Sequence, residues 1–202
     1  MEQLTDFRVA ATAFIDLVTR IDHSAWNDHA LGVWTVRDLI GHTARAISTV
    51  ATYLALPAPA EENVPNAETY YLRVFGGFTD HNAVAERGIA AGRNLVDDAG
   101  PAIAESLDRC LTLLAGQPAD RLVAIGDLAI PLAEYLRSRV FELVVHGFDL
   151  AKATGQELVI AAGPVARTAA LAAGVAAERG QGRDVLFALT GRDPLPDGFS
   201  IF

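Results

Sequence analysis

Glu142 and His146 stand one helical turn apart in YLRSRVFELVVHGFDLA, so on a helix both side chains leave the same face and can reach a single point. One carboxylate and one imidazole placed in this way can form part of a divalent-metal site, but two ligands do not make one, and a third would come from a neighbouring helix. The best third donor is His42, set among Leu39, Ile40, Thr43, Ala44 and Ile47 with few surface residues close in sequence. Tyr135, Arg139 and Asp149 continue the stripe of Glu142 and His146 at alternating spacings of four and three.

The rest of that helix decides what the stripe faces. Leu136, Val140, Phe141, Leu143, Val144, Val145, Phe148 and Leu150 cover nearly every other direction with apolar groups, and a helix apolar on its other sides is buried. The polar stripe then lines an interior cleft. An ionised carboxylate buried there costs several kcal/mol unless a cation compensates it, and the compensator is either a metal ion or Arg139. The second possibility is an Arg139–Glu142 ion pair, with His42 and His146 as separately satisfied interior histidines. His23 and His29 fall in a polar loop and His81 follows Asp80 near a helix start, settings of surface or capping groups. Cys110 in SLDRCLTLLA reads as a small apolar residue on a helix, with too thin a basic neighbourhood for a nucleophile.

These residues need elements to hold them. Phe7, Ala10, Phe14, Leu17, Val18 and Ile21 recur at helical spacing and predict a first helix over Thr5–Ile21. The stretch DHSAWNDHALGVW reads as a loop. Thr35 and Asp38 then stand as an N-cap and its return partner, so a second helix runs from near Trp34 to before Pro57. PAPAEENVPN predicts an exposed, mobile connection that could lie over a site. Residues 68–96 read as helical with an interruption around Gly76 and Gly77, and Pro101 suits the first turn of a helix ending near Leu114. RLVAIGDLAIP is either a small hairpin or an extended loop. Leu132–Thr154 is the longest clean helix, closed by Gly155; further helices follow from Pro164 to about Glu178 and over DVLFALTG.

Composition narrows the classes. The 202 residues are 51% hydrophobic and 20% charged, enough for one domain with a sizeable core. Sixteen Lys and Arg against 25 Asp and Glu give a net charge of −9, which repels a phosphate backbone and excludes nucleic acid as an expected partner. One cysteine allows no internal disulfide, and no apolar run is long enough to span a membrane. The expectation is a soluble, cytoplasmic protein without membrane partners. A mean hydropathy of +0.25 makes a homodimer plausible.

WTVRDLIGHTA, RSRVFELVVHGFDLAKATG and ALTGRDPLPDGFSIF together resemble the mycothiol-dependent maleylpyruvate isomerase family, related to DinB-like bundles and bacillithiol transferases. The resemblance spans almost the whole chain. Its most specific part is aromatic-Glu, three residues, then His-Gly-aromatic-Asp-Leu-Ala. It implies an all-α fold, a DinB-like four-helix bundle with additional C-terminal helices and room for one short hairpin. Residues 1–155 would form the metal-binding bundle and 156–202 a short, mostly helical extension packed on the same domain. It also implies a divalent metal held by His42, Glu142 and His146, zinc first, with nickel, iron or manganese as alternatives. The family's isomerase uses an arginine between the metal-bearing helices, for which Arg73 and Arg87 are the candidates, with Arg87 favoured by its helical setting in AVAERGIAAG. The larger C-terminal α/β domain of that isomerase has only residues 156–202 to correspond to it here, so maleylpyruvate is not the expected substrate.

Two neutral imidazoles and one carboxylate leave Zn²⁺ a net positive charge and at least one open position. The resemblance therefore implies mycothiol as cosubstrate, bound as thiolate, attacking a small electrophilic metabolite or xenobiotic to give a conjugate or an isomer. Asp149 either orients the His146 imidazole through its outer nitrogen or caps the helix end. Two other readings stay open: a facial iron triad of the non-haem oxygenase kind, and a non-catalytic metal- or metabolite-binding protein closed by a fourth ligand such as His81.

Overall fold

The computed structural model describes residues 2–75 and 81–201, of His81 the backbone alone. Among the described residues the fold is mostly helical and DinB-like. Four helices form the bundle: α1 (Glu2–Arg20), α2 (Val36–Leu54), α5 (Ala99–Leu114) and α6 (Leu132–Thr154). Each packs on two of the others in a ring, α1 and α2 both lying against α5 and α6. Phe7, Phe14, Leu17, Leu39, Ile40, Ile47, Leu132 and Leu136 are fully buried at its centre, each worth roughly 1.5–3 kcal/mol of transfer from water.

The loop expected before the second helix carries structure. A 3-10 turn over His23–Asn27 is capped by Asp22, whose Oδ1 accepts from Ser24 N at 2.8 Å. Strands β1 (His29–Leu31) and β2 (Trp34–Thr35) then pair antiparallel. Trp34 thus belongs to a strand, and α2 begins two residues later than its sequence start near Trp34. The reason is local: Thr35 Oγ1 accepts from Asp38 N while Asp38 Oδ2 accepts from Thr35 N, a complete capping box, worth about 1 kcal/mol at the cap.

The connection after α2 is exposed at 55–58 and 60–62, yet its far end is fastened. Asn63 Oδ1 accepts from Ala129 N at 2.8 Å, its Nδ2 donates to the Asp127 carbonyl, and Val64 is fully buried. Ala129 lies in β4 (Leu128–Pro131), which pairs with β3 (Leu122–Ile125). The segment RLVAIGDLAIP is therefore a hairpin, turning at Gly126 and Asp127 with Gly126 at φ 63°, a backbone sign that favours glycine in a two-residue turn.

Helix α3 (Ala67–Phe75) starts where Asn66 Oδ1 accepts from Thr69 N and Glu134 Oε2 from Ala67 N. The expected interruption around Gly76 and Gly77 lies outside the described residues. Helix α4 (His81–Arg93) lies on α2 in backbone contact: a Cβ on Gly41 would sit 2.3 Å from Gly92 N, and one on Gly92 would sit 2.8 Å from Asp38 Cα. Arg37 fastens the end of α4 by donating to the Gly92 and Leu95 carbonyls.

Helix α7 (Ala162–Glu178) packs on α1, α3 and α6, burying Leu171, Val175 and Ala176 in the same core. Arg167 of α7 pairs with buried Asp6 of α1, and Arg137 of α6 bridges Glu134 and Glu68. Helix α8 (Gly182–Leu189) packs on α7. Among the described residues, no helix is long and apolar enough to cross a membrane.

Candidate metal centre

The fold brings His42 of α2 against Glu142 and His146 of α6. One ligand atom from each can be chosen so that all lie within 4.8 Å of one another. His146 Nε2 is 3.4 Å and His42 Nε2 3.8 Å from the same oxygen, Glu142 Oε2. Each residue is only partly accessible, with 16–19% of its side chain exposed.

Neighbours fix each donor in place. His146 Nδ1 lies 3.0 Å from Asp149 Oδ2, so the ring donates there and directs Nε2 at Glu142. This selects the orienting role of Asp149 over capping. Tyr71 of α3 donates towards Glu142 Oε1 at 2.8 Å, with the Ser138 carbonyl also in reach at 3.0 Å. Trp34 stacks on His42 with ring centroids 4.4 Å apart and is itself tied to α4, its Nε1 donating to the Ala85 carbonyl. Sequence reasoning did not single out Tyr71 or Trp34. The signal for Tyr71 was slight, a buried aromatic with a polar tip; Trp34 gave none.

The electrostatics follow from this packing. Burial pushes His42 below its ordinary pKa, and the His146 charge adds to that against the pull of Glu142. Burial also works against a charged His146, yet the hydrogen bonds to Asp149 and Glu142 overcome it and raise the ring to about 9. Burial alone would raise Glu142, but the two imidazoles and the charge of Arg139 hold it well below the usual carboxylate range. Without a metal, then, the cluster is a carboxylate, an imidazolium and a neutral imidazole.

This donor set fits a divalent ion. An imidazole lone pair and a carboxylate oxygen at 3.4 Å are both electron donors, and a cation must lie between them, either a proton or a metal. His42 is not satisfied as an interior histidine: its buried Nδ1 has no hydrogen-bond partner among the described residues, and its Nε2 is too far from Glu142 for a hydrogen bond. Nor does Arg139 form the ion pair with Glu142 that spacing allowed. Its Nε donates to Ser138 Oγ at 3.2 Å and its guanidinium lies 4.9 Å over the Tyr135 ring.

The cluster opens on a cavity of about 1040 Å³, also lined by Arg45, Arg87, Arg139 and a set of aromatic side chains. Of the two arginines weighed from sequence, Arg87 faces this cavity and Arg73 is exposed elsewhere. Arg45, three residues after His42 on the same helical face, was legible by that spacing and overlooked. His23 and His29 are exposed, as expected. Cys110 is fully buried, and burial pushes its thiol up to about 12, so it stays protonated.

The sequence pattern of the mycothiol maleylpyruvate isomerase N-terminal domain matches residues 7–151, the bundle and all three candidate ligands. The chain belongs to this family. No curated protein and no solved structure matches it. The family match stops within α6, so it spans the three candidate ligands and the cavity-lining arginines and leaves out α7 and α8.

Proposed function

We propose that this member of the mycothiol maleylpyruvate isomerase N-terminal domain family is a metal-dependent thiol transferase or isomerase that joins mycothiol to a small electrophile. The observation that carries the reading is the convergence of His42, Glu142 and His146 at the edge of a cavity large enough for two small reactants. A zinc-like ion held by these three residues would leave a coordination position open and favour the thiolate form of an incoming thiol.

The chain's own residues do the rest. Asp149 fixes the His146 tautomer, and Tyr71 holds the Glu142 carboxylate. Trp34 packs its ring against His42. Arg45 and Arg87 supply positive charge at the cavity wall, where it stabilises a developing anion during attack on a conjugated carbonyl. Arg87 is the residue we assign to that role. A fourth protein ligand would favour the non-catalytic alternative. Among the described residues three donors meet and Asp149 is engaged by His146 Nδ1; the side chain of His81, the fourth donor offered by the sequence, lies outside the described residues.

The test combines metal content with turnover. Protein purified without chelator should carry about one equivalent of divalent metal, and His42→Ala almost none. The metal-loaded chain should accelerate mycothiol addition to a panel of electrophiles, and Arg87→Ala should lower that rate with metal content unchanged. Rates no higher than the uncatalysed reaction across the panel would refute the transferase reading.

A further inference from the structure

The cavity is cationic inside an acidic protein. The chain carries a net charge of −9, yet among the described residues lining the cavity three are arginines and the one carboxylate is Glu142, already committed to the histidines. Arg139 is the arginine held most firmly. Its guanidinium lies over the rings of Tyr135 and Tyr70, 4.9 and 5.8 Å from their centroids. Nε donates to Ser138 Oγ, and Nη2 reaches the Tyr70 hydroxyl at 3.4 Å. Tyr135 is fixed in turn by Thr49, hydroxyl to hydroxyl at 3.0 Å.

Two aromatic faces restrain the plane of the guanidinium, and its hydrogen bonds leave Nη1 without a partner among the described residues. An arginine is always charged and presents a rigid donor fork matched to a carboxylate. Glu142 feels the charge of Arg139 without pairing with it, so the donor fork stays open to an incoming anion. Arg139 is not among the converging donors: it lies about 4.5 Å before Glu142 and about 10.5 Å before His146 along the helix axis, from a rise of 1.5 Å per residue.

We propose that Arg139, between Tyr70 and Tyr135, is a preformed subsite for the carboxylate of an aromatic acid. This deepens the functional reading above and rests on it, in that the electrophile would be an aromatic acid bearing a thiol-reactive carbon outside its ring, held by its carboxylate with that carbon towards the candidate metal ligands. The ring preference comes from the surroundings, since Tyr53, Tyr70, Phe75 and Phe141 line the same space and offer flat faces to an unsaturated ligand. Arg139 is thus a specificity-determining residue, distinct from Arg87 at the wall.

The experiment is calorimetric titration of the zinc-loaded full chain with benzoate, benzamide and acetate. Benzoate should bind at least tenfold more tightly than either comparison ligand. Arg139→Gln should weaken benzoate by roughly ten- to a hundredfold, the scale of a lost charge-assisted fork, and leave zinc content at that of the parent. Arg139→Lys, which keeps the charge, should recover part of that loss. The visible spectrum of cobalt-loaded protein should not change as benzoate saturates, because the carboxylate sits on Arg139 and not on the metal. Equal affinity for benzoate and benzamide, full benzoate affinity in a folded Arg139→Gln protein, or a cobalt spectrum that shifts with benzoate would each overturn the proposal. Acetate binding as tightly as benzoate would overturn its aromatic part. Benzoate bound as expected by a protein with no thiol-dependent turnover would instead remove the transferase reading and leave the subsite standing.

Discussion

Metal binding at this site must expel a proton, and the cluster's geometry says how many. His146 Nε2 faces Glu142 while Nδ1 is held by Asp149, which raises the ring to about 9; His42 is lowered by burial and already neutral near pH 7.5. Glu142 is already ionised. At pH 7.5 the incoming ion therefore competes with one proton, on His146. The gap of about 1.5 pH units weakens apparent affinity about thirtyfold, or about 2 kcal/mol. Because the raised group is protonated below about 9, affinity should climb by about one decade per pH unit from 7 to near 9 and then level off. Zinc titrations at pH 7.5 in buffers of different ionisation enthalpy should give a release of about one proton, where two ordinary histidines would together give about 0.2. Asp149→Asn removes the partner that raises His146, so its proton release should fall; protons lost from any metal-bound water are common to both proteins and cancel in the comparison. A parent release near 0.2, or one unchanged in Asp149→Asn, would refute the charge assignment.

Two further outcomes follow from neighbouring contacts. Tyr71→Phe removes the hydroxyl that donates to Glu142 Oε1 and should weaken zinc by about tenfold, at the lower end for such supporting groups, as read by competition with a chromophoric chelator. Gly41→Ala drives a methyl against the backbone of Gly92; forcing α4 off α2 should cost about 1–3 kcal/mol in denaturant unfolding. An unchanged unfolding midpoint would mean the helices are not in backbone contact there.

Much of the site was legible in the sequence because helical spacing is a local property. Glu142 and His146 share a face whatever α6 packs against, and the apolar residues around them already required a buried helix. Phe148 is the exception to that pattern, 44% exposed, because its direction on α6 meets no neighbouring element that buries it. The Thr35–Asp38 box likewise marked the start of α2 through contacts three residues apart. The pairing of β1 with β2 went unread: two short strands leave too few residues for alternation to register.

Periodicity and the cost of burying charge were enough to read the helices, the polar stripe on α6 and a candidate third donor on α2 from the chain alone. The choice between partners far apart along the chain came from packing. It turned Arg139 away from Glu142 onto Tyr70 and Tyr135, brought Tyr71 onto the carboxylate, set Trp34 against His42, and placed Arg45 and Arg87 in the lining of one cavity. These choices depend on how α3 and α4 dock against α2 and α6, which is set by glycine contacts and caps between residues tens of positions apart, where periodicity carries no information.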